Sequence, residues 1–184
     1  MHIELAGNLG RLRDPRSQDA ASLARYANNR NVWLNLRDGF PHPYSVEDAK
    51  RFVAMAKEHR PPTILAIETA GAPPEAIGAI GLRLQPDVER VSAELGYWIG
   101  EPFWGRGIVT AAVRAMVTYA FGTFELTRVF ALPYTSNAAS ARVLEKAGFR
   151  QEARMLRAVI KDGQVQDQWM YAVTDDEWQI IGSR

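Results

Sequence analysis

Residues 97–110 decide the fold of this chain, and they read Tyr97-Trp98-Ile99-Gly100-Glu101-Pro102-Phe103-Trp104-Gly105-Arg106-Gly107-Ile108-Val109-Thr110. An apolar strand pattern runs into a glycine-containing loop, and a helical pattern begins directly after the loop. The apolar residues of that helix recur with the spacing of one helix face, at Ile108, Ala111, Ala112, Ala115, Met116, Tyr119 and Ala120.

This strand-loop-helix pattern predicts a binding site for a phosphate group. The backbone N–H groups of a helix's first turn have no partner within the helix, so here they are directed into the loop. Gly105 and Gly107 lack Cβ atoms and allow a ligand to approach the backbone. With Arg106 and the helix dipole, the loop is suited to the diphosphate of a nucleotide-containing cofactor. The alternative is a turn that needs glycine only for its geometry.

Composition limits the class of protein. The 184 residues are 47% hydrophobic and 23% charged, which predicts one domain with a sizeable core over residues 1–184, although the length also allows two small domains. A net charge of +1 without a long basic run argues against a nucleic-acid partner. The absence of cysteine excludes disulfides, thiolate ligands and a cysteine nucleophile. The three histidines are scattered, which predicts no metal site.

Targeting and membrane signals are also absent from the sequence. The first residues, Met1–Leu5, lack a basic stretch followed by an apolar one. No window reaches the ~18 apolar residues of a membrane span. We therefore expect a cytoplasmic protein that does not bind membranes.

The remaining patterns predict a mixed α/β domain around a sheet of six or seven strands. Capping residues, glycines and prolines punctuate the segments, for example Ser45 with Asp48 at a helix start and Asp162-Gly163 in a hairpin turn. Helices are predicted at 17–28, 29–36, 45–59, from 108, 136–146 and 174–180, and strands at 9–13, 63–69, 76–84, 91–99, 128–133, 149–160 and 165–173.

Several motifs in order resemble the GNAT superfamily of acetyl-coenzyme A-dependent N-acetyltransferases. Trp104–Val109 is similar to the family's Gln/Arg-x-x-Gly-x-Gly/Ala loop, although tryptophan and valine stand at its two ends. Asn137–Phe149 resembles the second motif, Asn-x-x-Ser-x-x-apolar-apolar-x-Lys-x-Gly-Phe, of the branch that acetylates the N-termini of ribosomal proteins. Gly96–Ile99 and Pro43–Ala49 are also similar to that branch. The resemblance implies the GNAT fold, with a mixed, splayed sheet flanked by helices.

A dinucleotide-binding fingerprint is the main alternative for the loop. Gly105-x-Gly107-x-x-Thr110 approximates G-x-G-x-x-G/A, and Glu125 lies 18 residues after Gly107. However, that motif normally follows the first strand of its unit, whereas several strands are predicted before this loop. The third glycine of the motif is also missing here. A P-loop is excluded, because no Gly-Lys-Ser/Thr follows.

The resemblance implies acetyl-CoA as co-substrate. In the family, backbone groups of the strand before the loop hold the pantetheine arm, and the loop holds the diphosphate. Asn137 would position the cofactor, cap a helix, or do both. Arg142 would reach the 3′-phosphate or simply be solvated. The implied cofactor-binding residues are Trp98, Ile99, Trp104, Gly105, Arg106, Gly107, Ile108, Val109, Thr110, Asn137, Ser140 and Arg142.

Acetyl transfer to an amine requires a neutral amine, a stabilised carbonyl oxygen and a proton for the departing thiolate. Glu101 and Glu94 are the candidate bases, and Ser140 is the candidate acid. Each has a structural alternative: Glu101 as a partner of the helix dipole, Glu94 as a solvated or salt-bridged strand residue, and Ser140 as an ordinary first-turn serine.

We therefore expect an N-acetyltransferase that transfers the acetyl group of acetyl-CoA to a primary amine, in a ternary complex, as a monomer or homodimer. The acceptor is a protein N-terminus or a small amine. A non-catalytic acyl-CoA-binding module on the same fold is the alternative. Four aromatic residues are candidates for the acceptor pocket or for the core, namely Trp33, Phe40, Tyr44 and Trp169.

Overall fold

The structure, a computed structural model, describes residues 1–182. Within this range the strands are β1 (His2–Glu4), β2 (Arg11–Arg13), β3 (Ile64–Glu68), β4 (Ala76–Leu84), β5 (Ser92–Ile99), β6 (Arg128–Ala131), β7 (Arg150–Lys161) and β8 (Gln164–Thr174). The α-helices are α1 (Ala20–Ala27), α2 (Arg30–Trp33), α3 (Val46–Ala56), α4 (Ile108–Thr123), α5 (Ala138–Ala147) and α6 (Asp175–Gly182).

The strands form one mixed sheet in the order β1-β2-β3-β4-β5-β6-β8-β7. Strands β5 and β6 are parallel, whereas the pairs β1–β2, β2–β3, β3–β4, β6–β8 and β7–β8 are antiparallel. Pairing of β5 with β6 stops after Glu94 and Phe130, although β5 continues to Ile99. This early end of pairing agrees with the expected splayed sheet, and the mixed α/β fold class is confirmed.

Within the described residues 1–182, the sheet has eight strands rather than the predicted six or seven. The additional strand is β1, whose three residues pair with β2. Three residues are too few to show an alternating pattern, so β1 could not be distinguished from a loop in the sequence.

Contacts divide the chain into two compact units. The first unit comprises Met1–Gly81 and Tyr97–Ala115, and the second comprises Leu82–Gly96 and the described residues from Met116 onward. Strands β4 and β5 and helix α4 each contribute residues to both units.

Helices α1 and α3 supply much of the first unit's core. Ser45 caps α3, where its hydroxyl accepts a hydrogen bond from the N–H of Asp48 at 3.1 Å, which confirms the capping box predicted there. Small residues dominate the packed helix faces, and the buried cluster comprises Ala20, Leu23, Ala24, Ala27, Tyr44, Ala49, Val53, Ala66 and Ala76. Phe40, Phe52 and Trp98 pack against this cluster.

Buried charges join β2 and β3 to the turn before α1. The side chain of Arg13 is 3% exposed and donates to both carboxylate oxygens of Asp19, at 2.7 and 2.8 Å. Its Nε atom donates to Glu68, which is 1% exposed. Arg11 Nε donates to the second oxygen of Glu68 at 2.5 Å. Each buried carboxylate therefore has a hydrogen-bonded cation, as burial of charge requires.

In the second unit, β7 and β8 form a long hairpin. Its turn contains Asp162 and Gly163 with φ of 51° and 74°, so both central residues are left-handed, as a tight hairpin requires. The pairing has register shifts between Gln151 and Ala153 and between Met155 and Val159. The hairpin predicted from Asp-Gly is thus confirmed, whereas the irregular register was not predicted.

In the part of the chain that the structure describes, the helices are all too short or too polar to cross a lipid bilayer.

Candidate active site

The loop between β5 and α4 is closed by its own hydrogen bonds. A single 3₁₀ turn, Glu101–Phe103, follows the strand. The N–H groups of Phe103 and Trp104 donate to the carbonyls of Gly100 and Glu101, at 3.0 and 3.1 Å. The indole Nε1 of Trp104 donates to the carbonyl of Ile99 at 2.9 Å. This hydrogen bond connects the loop to the end of β5, and the motif did not predict it.

Gly105 and Gly107 have the left-handed backbone that glycine adopts most readily. The φ angles are 74° at Gly105 and 80° at Gly107. A Cβ atom on Gly105 would meet nothing within 4 Å, so the space beside its backbone is open. Helix α4 begins at Ile108, immediately after the second glycine, as the sequence predicted.

The end of the loop is suited to an anion. The first helical hydrogen bond of α4 runs from the N–H of Ala111 to the carbonyl of Gly107, at 3.1 Å. The N–H groups of Ile108, Val109 and Thr110 precede it and have no acceptor within the helix. Aligned N–H groups beside an open glycine backbone fit a diphosphate. The residues present are therefore compatible with coenzyme A.

The side chains around the loop are partly exposed. The guanidinium of Arg106 lies 5.5 Å from the ring centroid of Phe103, a cation–π distance. Phe103 in turn packs edge-on against Tyr26, with ring centroids 5.2 Å apart. Trp104 remains 43% exposed beside the loop. The contact with Phe103 holds the Arg106 side chain beside the loop, where the residue remains exposed to solvent.

The end of β5 is fixed from both sides. The N–H of Gly100 donates to the carbonyl of Ile77 in β4 at 2.8 Å. A Cβ atom on Gly100 would lie 2.8 Å from the ring of Tyr26, so only glycine fits there. The side chain of Trp98 packs edge-on against Phe40 at 5.5 Å between centroids. Its backbone is therefore held in a defined position at the strand end.

Glu101 is held by two asparagine side chains that sequence reasoning missed. Asn29 Nδ2 donates to Glu101 Oε2 at 2.7 Å. Asn31 Nδ2 donates to Oε1 and Oε2 at 3.0 and 3.1 Å. The asparagine-rich run at residues 28–31 was the only available signal, and nothing in it identified a partner 70 residues away.

In the second unit, Asn137 is the N-cap of α5. Its Oδ1 accepts a hydrogen bond from the backbone N–H of Ser140 at 3.0 Å, which confirms the predicted cap. Ser140 lies in the first turn of α5 and is partly exposed, and Arg142 is exposed on the same helix. Gly148 ends the helix with φ of 107°, the left-handed conformation in which glycine commonly terminates a helix.

Glu94 forms an ion pair with Arg83 of β4. The carboxyl side chain is only 12% exposed, whereas Arg83 is 63% exposed. This pairing matches the alternative in which Glu94 is a salt-bridged strand residue. It leaves Glu101 as the more available of the two candidate bases.

The aromatic candidates have separate environments. Phe40 and Tyr44 pack together in the first unit at 4.7 Å between centroids. Burial raises the pKa of Tyr44 to about 12, helped by the nearby negative charge of Asp48. Trp33 stacks on His42 at 5.6 Å, and Trp169 lies under the guanidinium of Arg154. Tyr44 is thus a core residue, and Phe40 is a half-buried residue that packs against the core.

Comparison with known proteins identifies the family. Residues 11–150 match the family described as "Acetyltransferase (GNAT) domain", and the chain belongs to this family. YdaF of Bacillus subtilis, provisionally named a ribosomal N-acetyltransferase, is 38% identical over 102 residues, which are 55% of each chain. The chain thus spans about half the length of this and the next curated relatives that it matches.

Two further matches cover nearly the whole chain. The uncharacterized N-acetyltransferase YnaD of Bacillus subtilis is 26% identical over 97% of this chain and 99% of its own length. The structure of Mycobacterium smegmatis RimJ in complex with CoA-disulfide superposes with a TM-score of 0.81 at 25% identity, over 100% of this chain and 94% of RimJ. The matches to YdaF and RimJ support the branch that the motifs indicated.

Proposed function

We propose that this protein is an acetyl-CoA-dependent N-acetyltransferase that modifies a primary amine, with residues 1–184 acting as one acetyltransferase domain. The observation that carries the proposal is the open Gly105-Arg106-Gly107 loop at the start of α4. Membership of the GNAT family supports it. So does RimJ, a similar protein whose structure was determined with a coenzyme A disulfide.

The proposed cofactor contacts follow from the loop and its flanks. The N–H groups from Gly105 to Thr110 hold the diphosphate, and the exposed guanidinium of Arg106 adds positive charge. The backbone of Trp98 and Ile99 holds the pantetheine arm, and Trp104 keeps the loop against the strand. Asn137, Ser140 and Arg142 of α5 contribute further cofactor contacts, as the family's second motif implies.

When bound, acetyl-CoA supplies an acetyl group activated as a thioester. We assign the protein's part in the reaction to two side chains. The carboxylate of Glu101 accepts the proton that the amine must lose in order to attack, directly or through water. The hydroxyl of Ser140 relays a proton to the departing thiolate. Glu94, already paired with Arg83, is the reserve candidate for the base.

The proposed acceptor is the N-terminus of a peptide or protein, and the proposed location is the cytoplasm. The support is the name of YdaF and its 38% identity with this chain over 102 residues. A small amine is the second candidate acceptor, because the same chemistry applies to any neutral primary amine.

Replacing Gly107 by glutamate tests the proposal. The substitution adds a bulky negative side chain where the diphosphate must lie, so we expect coenzyme A binding to be lost in calorimetry. Gly163→Glu in the β7–β8 turn is the matched control, since Gly163 has a similar φ of 74° and nothing within 4 Å of a Cβ atom. Equal coenzyme A affinity in the folded Gly107→Glu variant and the control would refute the assignment of the loop.

Thiol release then separates enzyme from binding module. Wild-type protein is mixed with acetyl-CoA and a peptide with a free N-terminus, the same peptide with a blocked N-terminus, or a polyamine. We expect release only with acceptors that carry a free amine. Tight coenzyme A binding without release from any amine would favour the non-catalytic acyl-CoA-binding module instead.

A further inference from the structure

Neutral amide donors orient the carboxylate of Glu101. Asn29 and Asn31 together direct three N–H···O contacts of 2.7 to 3.1 Å at its two oxygens. Both donors are side-chain amides, which carry no charge. These contacts therefore fix the direction of the carboxylate without themselves neutralising it.

Helix α2 determines which way the Asn29 amide faces. Asn29 is the N-cap of this helix, and its Oδ1 accepts from the N–H groups of Asn31 and Val32 at 2.8 and 3.3 Å. Because the oxygen is committed to the helix, the amide nitrogen must face Glu101. One side chain thus couples the start of α2 to the carboxylate.

We propose that Asn29 and Asn31 are positioning residues that hold the Glu101 carboxylate in the orientation needed to take a proton from the acceptor amine. The inference rests on the proposed function of Glu101 as general base. An ionised carboxylate offers about four lone-pair sites, so the three amide contacts leave acceptor capacity for the amine. A guanidinium in the same place would compete with a positively charged acceptor amine for the negative charge of Glu101, whereas neutral amides carry no charge to compete with it.

The discriminating variant is Asn31→Ala. It removes the amide from Glu101 but keeps the cap of α2, because Asn31 enters that cap through its backbone N–H. Asn35→Ala is the matched control: Asn35 lies in the same segment, but its amide donates to the carbonyl of Asn31 at 2.8 Å and not to Glu101. We expect Asn31→Ala to lower kcat by about tenfold through misplacement of the base, with an unchanged KM for acetyl-CoA. Asn35→Ala should retain the wild-type kcat.

A double-mutant cycle separates positioning from a merely structural role. If Asn31 acts through Glu101, Asn31→Ala should cause no further loss in a Glu101→Gln background. The free protein gives an independent readout: Glu101→Gln should shift the side-chain NH₂ resonances of Asn29 and Asn31 in ¹H–¹⁵N spectra and leave those of Asn35 in place.

Each remaining outcome counts against the inference. It is overturned if Asn31→Ala has the wild-type kcat, if its loss multiplies with that of Glu101→Gln, or if Asn35→Ala loses as much. In these cases a wild-type protein that still acetylates amines leaves the proposed function standing. A wild-type protein that binds coenzyme A but acetylates nothing overturns the proposed function and this inference together.

Discussion

Replacing Arg13 by methionine should destabilise the protein by about 3 kcal/mol, at the lower end of the range for breaking a buried ion pair from one side. The variant loses both hydrogen bonds to Asp19 and one to Glu68, all in a buried environment. The loss is limited because Glu68 keeps Arg11 at 2.5 Å and Asp19 keeps the N–H of Arg16 at 2.7 Å. For a chain of this length, about 3 kcal/mol corresponds to a fall in Tm of roughly 6–12 °C.

The dependence on pH identifies the cause. Burial alone would raise the pKa of Glu68, but hydrogen bonds from Arg13 and Arg11 outweigh it, and the pKa lies below its ordinary value of 4.5. A carboxyl with a lowered pKa contributes stability that is complete above its unfolded pKa and is lost as pH falls through the folded pKa. Wild type should therefore lose stability on acidification below about pH 4.5, and the difference from Arg13→Met should narrow there.

Thermal unfolding followed by circular dichroism at pH 7 and pH 4 measures both effects. Arg11→Met is the matched control: its side chain is 37% exposed, so we expect a loss of about 1 kcal/mol or less. A decrease in Tm of less than about 2 °C for Arg13→Met would refute the reasoning. So would a Tm difference between Arg13→Met and wild type that is the same at both pH values.

Other parts of the site give further predictions. Asn137→Ala should lower the free energy of unfolding by about 0.5–2 kcal/mol, because the cap of α5 is lost. Ser140→Ala keeps the backbone N–H that the cap uses, so it should slow single-turnover acetyl transfer with little change in coenzyme A affinity. An unchanged rate would remove Ser140 from the mechanism. Trp104→Phe keeps an aromatic side chain but loses the indole hydrogen bond to the carbonyl of Ile99. Calorimetry should show coenzyme A binding weaker by about fivefold, the equivalent of one hydrogen bond. An unchanged affinity would show that the loop does not depend on this bond.

Features that depend on near neighbours in the chain could be predicted from the sequence alone. Helix α4 begins at Ile108, Asn137 caps α5 through a residue three positions away, and Asp162-Gly163 forms the hairpin turn. Apolar periodicity, caps and left-handed turn residues act over three or four residues, so a short window contains the whole cause. The family was predicted in another way, from the resemblance of several motifs in order, and the match over residues 11–150 confirmed it.

Only the tertiary structure decided which distant groups meet. Glu101 accepts a hydrogen bond from Asn29, 72 residues away in the chain, and Arg13 donates one to Glu68, 55 residues away. Strand β1 exists because β2 offers it a partner, and Glu94 is paired because β4 brings Arg83 beside it. Such contacts depend on strand register and on which faces of packed elements come together, and these are set by burial of the whole core rather than by the residues on either side of each group.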